Sequence, residues 1–122
     1  MKRIAVILLL LPILLCGGCA TLAPNADPVV VNAERTIEVA RVTLDQFVKF
    51  EFNNRAKCPA DVQAAAERVR RDAPELFKRV MKLKLAYKQN RNADGKADLM
   101  TAVAVLSSVA SEAAVALAKH QH

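Results

Sequence analysis

The stretch Asp61 to Arg91, DVQAAAERVRRDAPELFKRVMKLKLAYKQNR, decides the fold. Val62, Ala66, Val69, Ala73, Leu76, Val80, Leu83 and Tyr87 recur in it at steps of three and four residues, the spacing of one face of an α-helix. A proline stands inside this pattern. Pro74 removes one backbone donor and crowds the carbonyl of Arg70, so the helix either kinks there or breaks and restarts near Asp72. The apolar stripe keeps its register across Pro74, which favours one kinked helix over two.

Working outward, the same periodicity appears on both sides. Upstream, Val30, Ala33, Ile37, Ala40, Leu44 and Phe47 form the seam of a first helix. The opposite charges Arg41 and Asp45, Asp45 and Lys49, and Glu51 and Arg55 are each four apart and are expected on its outer side. Cys58-Pro59 ends this helix, because the residue before proline is biased away from helical geometry. Downstream, Asn90 to Gly95 turns the chain into a third helix, about Lys96 to Lys119, with Leu99, Val103, Leu106, Ala110, Ala113 and Leu117 on its seam.

Between Leu99 and Ala118 the third helix has one charged residue, Glu112. A helix apolar nearly all round is buried or lies in a membrane. Ala110, Ala114 and Ala118 have the spacing of close-packed membrane helices, but Thr101, Ser107, Ser108 and Ser111 dilute the apolarity, and burial against the other two helices is the expectation. Short connections then give an all-α, antiparallel three-helix bundle over residues 29–119.

The chain has 122 residues, 18 basic and 12 acidic, and opens with Lys2-Arg3 followed by an uncharged run from Ile4 to Leu15. That is the charged and apolar pattern of a secretory signal. The run is too short to span a bilayer, which takes roughly 20 helical residues. Gly17-Gly18-Cys19 follows it and resembles the lipobox of bacterial lipoproteins, with Cys16 where the lipobox usually carries Leu. The resemblance covers about the first twenty residues. It implies cleavage by signal peptidase II, an acyl anchor of the palmitate type on Cys19, and a mature chain that starts there. Ala20, where an Asp would favour inner-membrane retention, implies the outer membrane facing the periplasm. Ordinary signal cleavage or an uncleaved anchor are the alternatives. Cys16 and Cys19 also form a CxxC motif, but the strand and helix that redox chemistry needs around it are missing from the pattern.

On this reading residues 1–18 are a signal peptide, 19–28 a linker with Pro24 and Pro28, and 120–122 a polar tail. Loss of Lys2 and Arg3 takes the formal charge from +6 to +4. Cys58 becomes the one free thiol in an oxidising compartment, which points either to burial or to an intermolecular disulfide in a homodimer. Its place beside Pro59 suggests an exposed bundle end.

Three features bear on function. From Glu67 to Arg91 there are nine basic and three acidic residues, and Arg71, Lys78 and Lys82 share one outward helix face. Such a face is commonly just solvated; as a binding surface it would take a partner protein or an anionic envelope polymer. Nucleic acid is disfavoured because Phe77 and Tyr87 lie on or beside the apolar seam and leave no stacking platform.

Asn90 to Thr101 is similar to an EF-hand or dockerin-type calcium loop, with Asn90, Asn92, Asp94 and Asp98 as oxygen donors and Gly95 at the bend. Thr101 stands where the bidentate Glu belongs, and only two carboxylates are present. A helix-to-helix turn, with Asn and Gly in left-handed geometry, is the plainer expectation. The tail Lys119-His120-Gln121-His122 pairs two histidines, at most a weak metal site. Some envelope lipoproteins attach to peptidoglycan through a terminal lysine, and the terminal residue here is His122.

No nucleophile and general-base set can be assembled, since the histidines are confined to the tail. The sequence therefore points to a non-enzymatic binding or structural module without a cofactor, anchored in the envelope by lipid. The alternative is an exclusion or lysis accessory lipoprotein of a mobile element.

Overall fold

The computed structural model describes residues 25–121. The expected signal peptide, the lipid site at Cys19 and the terminal His122 lie outside the described residues. Within them the chain forms three helices and no strand: α1 (Pro28–Asn54), α2 (Ala60–Gln89) and α3 (Ala93–His120). Every pair of helices is in contact, and connections of a few residues force an antiparallel bundle.

The starts of α1 and α3 are capped by side chains. Asp27 accepts a hydrogen bond from the Val29 amide at 2.9 Å, and Pro28 occupies the first helical turn, where its missing N–H costs nothing. Asn92 accepts from the Gly95 amide at 2.6 Å and starts α3 at Ala93, three residues before the expected Lys96. α1 ends at Asn54, earlier than Cys58; the Lys57 and Cys58 amides then turn onto the Asn54 carbonyl. α2 runs through Pro74 as one helix, with Pro74 on its exposed side. A break near Asp72 is thereby excluded, because Ala73 and Leu76 stay on the core side and hold the two halves in one phase.

The seams read from sequence form the core. Val30, Ala33, Ala40, Leu44 and Phe47 of α1 meet Val62, Ala66, Ala73, Val80 and Tyr87 of α2, and Leu99, Leu106, Ala110, Ala113 and Leu117 of α3. Ile37, Val69, Leu76, Leu83 and Val103 are half-buried around them. Phe47, Leu99 and Leu106 are completely enclosed, each contributing about 1.5–3 kcal/mol by leaving water. Seven of the seventeen buried apolar residues are alanines, so the helices approach closely with little bulk between them.

α3 packs against both other helices as expected, while the placement of Glu51 is corrected. α3 is long and apolar enough to cross a membrane, yet only 28% of its most apolar stretch is buried. Met100, Val105 and Val115 are exposed, because a helix in a three-helix bundle has neighbours on one side only. Glu51, expected on the outer side of α1, has no exposed surface.

Candidate docking surfaces

Arg71, Lys78 and Lys82 project from the side of α2 opposite its core stripe, and all three are exposed. Their charges are not equally available. Arg71 donates to both carboxylate oxygens of Asp72, at 2.7 and 3.1 Å. The Asp72 hydrogen bond and charge hold the Arg71 guanidinium above its ordinary pKa, and Arg71 in turn draws the Asp72 carboxyl down. Lys78 lies 3.7 Å from Glu75. Lys82 forms no ion pair among the described residues, nor do Arg68, Arg79 and Lys88.

Arg68 and Arg79 lead to a feature the sequence did not disclose. They stand along the rim of an open cleft of about 640 Å³ between α2 and α3. Its floor is apolar, built from Ala73 and Leu76 on α2 and Val109, Ala113 and Ala116 on α3. Arg71, Asp72, Glu75 and Glu112 complete the rim, which thus carries three cations and three anions. The only sequence signal was the spacing of Arg68 and Arg79, eleven residues or about three turns, which puts both on one flank of the helix. The opposite wall comes from α3, and periodicity within α2 cannot supply it.

The second missed feature surrounds Glu51. Its carboxylate accepts a hydrogen bond from Arg70 of α2 through Oε2, while Oε1 lies 3.7 Å from Arg55, too far for a hydrogen bond. Glu67 closes the ring, 2.9 Å from Arg70 and 3.2 Å from Arg55. Hydrogen bonding to Glu51, with help from both carboxylate charges against desolvation, raises the Arg70 pKa. The ring holds no nucleophile and clasps α1 to α2. Glu51 sits at the α1 seam position one turn beyond Phe47, and that phase was the signal.

In the segment Asn90 to Thr101 the fourth to twelfth residues are α-helical, so Asp94 and Asp98 lie one turn apart on α3, after an extended Asn90. Asn92 uses its side-chain oxygen as the helix cap. The turn is not left-handed: the described residues include no positive φ. A Cβ on Gly95 would lie 2.8 Å from Asn92 Oδ1, so a side chain there would displace the cap.

Cys58 occupies the α1–α2 turn as expected, but its thiol is buried against the core. Gln63 donates to the Cys58 and Arg55 carbonyls and holds the turn over it. A disulfide to a second copy would require this end to open. His120 is exposed at the last position of α3.

At the opposite end the start of α1 is tied to the end of α2. The Tyr87 hydroxyl donates to Asp27 Oδ2 at 3.2 Å, and Arg91 lies 3.7 Å from the same oxygen. Desolvation pushes the Asp27 carboxyl up, but the Val29 amide, the Tyr87 hydroxyl, the Val30 amide and Arg91 outweigh it and hold the pKa below its ordinary value. Compared with protein-family models, curated proteins and solved structures, the chain matches none of them.

Proposed function

We propose that this chain is a small, non-enzymatic envelope protein, anchored in the outer membrane by lipid on Cys19, that docks a partner protein or anionic polymer through α2. The observation that carries the reading is the Gly17-Gly18-Cys19 sequence after a short apolar run. Support for a docking role comes from the exposed cations Arg68, Arg79 and Lys82 of α2, which form no ion pair among the described residues. Asp27, the N-cap of α1, is hydrogen-bonded to Tyr87 where the described chain enters the bundle.

Acyl labelling in the bacterial envelope tests the anchor. Cys19→Ser should abolish labelling and accumulate the unprocessed precursor. Labelling that persists in Cys19→Ser but disappears in Cys16→Ser would move the attachment site and overturn the assignment.

A further inference from the structure

The groove between α1 and α3 lies on the side of the bundle opposite α2. It consists of two hollows of about 390 and 280 Å³ that share Thr36 and Ser107 in their walls. Among the described residues, its only charged lining residues are Arg35 and Lys96. Both are exposed, and neither forms an ion pair among the described residues. Val39 is 64% and Met100 55% exposed along its edges. The contrast with the α2–α3 cleft is in charge: that rim balances three cations with three carboxylates, whereas the described residues lining this groove include no carboxylate.

We infer that the α1–α3 face rests on a phospholipid surface, with Arg35 and Lys96 against headgroup phosphates and Val39 and Met100 in the interfacial layer. This inference rests on the membrane-anchor reading and assigns the orientation that the anchor alone leaves open. Charge selects the occupant. A second copy on the same face would be related by two-fold symmetry and would bring four cations together without a counter-charge, while headgroup phosphates complement them. Position agrees with charge. Val29 lines the groove, and Cys19 precedes it by ten residues, so an anchor there keeps the Val29 end of this face within about 35 Å of the bilayer even at full extension. Since the groove between two helices of the bundle faces away from the third, the same orientation turns Lys82 of α2 outward, free for a partner.

The chain has no tryptophan, so one introduced indole reports its own surroundings. Val39→Trp, Met100→Trp, Lys78→Trp and Lys82→Trp, each with helicity checked by circular dichroism, are placed in the intact chain. The chain is reconstituted into vesicles of phosphatidylglycerol and phosphatidylcholine, where flotation reads anchoring and quenching by brominated acyl chains reads orientation. Reporters at positions 39 and 100 should blue-shift and be quenched by lipid, and those at 78 and 82 should remain open to aqueous acrylamide. Arg35→Gln and Lys96→Gln should each weaken the lipid-quenched state roughly fivefold in these vesicles. Flotation without lipid quenching at 39 and 100, or equal quenching at all four positions, overturns the inference and leaves the anchor reading standing. Shielding from acrylamide without lipid quenching means a second copy covers the face and also overturns it. A chain that fails to float overturns the anchor and the orientation together.

Discussion

Asn92 and Gly95 act as one unit at the start of α3. The Asn92 oxygen caps the Gly95 amide at 2.6 Å, and a methyl group on Gly95 would intrude to 2.8 Å from that oxygen. Asn92→Ala should cost about 1 kcal/mol, the usual worth of such a cap. Gly95→Ala should be close to neutral, because its gain of about 1 kcal/mol in helix propensity is offset by displacing the cap. With Asn92 already replaced, the same Gly95→Ala should stabilise by about 1 kcal/mol. Urea denaturation of the four chains decides this, and strictly additive effects would show that the two residues are independent. Asp27 gives a pH signature. Its pKa is lower folded than unfolded, so its stabilisation is complete above the ordinary carboxylate range and is lost as pH falls through the folded value. The stability gap between the native chain and Asp27→Asn should therefore close below about pH 4. Urea midpoints at several pH values would reveal a constant gap if the charge plays no part.

At the scale of the elements, the ring of Glu51, Arg70, Glu67 and Arg55 fixes how α1 and α2 pair. A fully enclosed carboxylate tolerates loss of its partner poorly. Arg70→Met should destabilise by about 3 kcal/mol, toward the low end for a broken buried pair because the Arg70 side chain is itself 28% exposed. Replacing both partners, Glu51→Leu with Arg70→Met, should recover most of that loss, since an apolar pair of similar volume needs no counter-charge. Thermal unfolding of the single and double variants measures the difference, and a double variant no better than the single one would mean that the ring contributes mainly through packing. This pairing is not visible in a helical wheel of α1, where Glu51 and Arg55 satisfy the rule for a surface pair. The wheel does place Glu51 in phase with Phe47 and Leu44, and seam phase outranks charge spacing wherever a partner on the next helix can neutralise the buried group.

For the whole molecule, the docking proposal depends on which cations remain free once the side chains have found their neighbours. Formal charge puts Arg71, Lys78 and Lys82 on equal terms, but Asp72 and Glu75 already engage the first two. Binding of the intact chain to inorganic polyphosphate, as a polyanionic probe at low ionic strength, should fall about twofold to fivefold for each of Lys82→Gln, Arg68→Gln and Arg79→Gln. Arg71→Gln and Lys78→Gln should change it less. Equal losses across all five would show that binding follows net charge and not the unpaired groups.

The three stripes, from Val30 to Phe47, from Val62 to Tyr87 and from Leu99 to Leu117, determine the bundle from sequence alone. Local periodicity commits each helix to one apolar face, and three such faces joined by short turns leave water by packing antiparallel against one another. The continuity of α2 was legible for the same reason, since the stripe holds its phase through Pro74. Tertiary structure decided the rest. The cleft over Val109 and Ala113 has walls from two helices. The enclosure of Glu51 depends on Arg70, nineteen residues away. The capping use of Asn92 and the start of the third helix at Ala93 were not fixed by the spacing of oxygen side chains. The exposure of Met100 and Val115 depends on how many neighbours α3 has. Each of these is set by which side chains meet across helices, and spacing along a single chain does not encode those meetings.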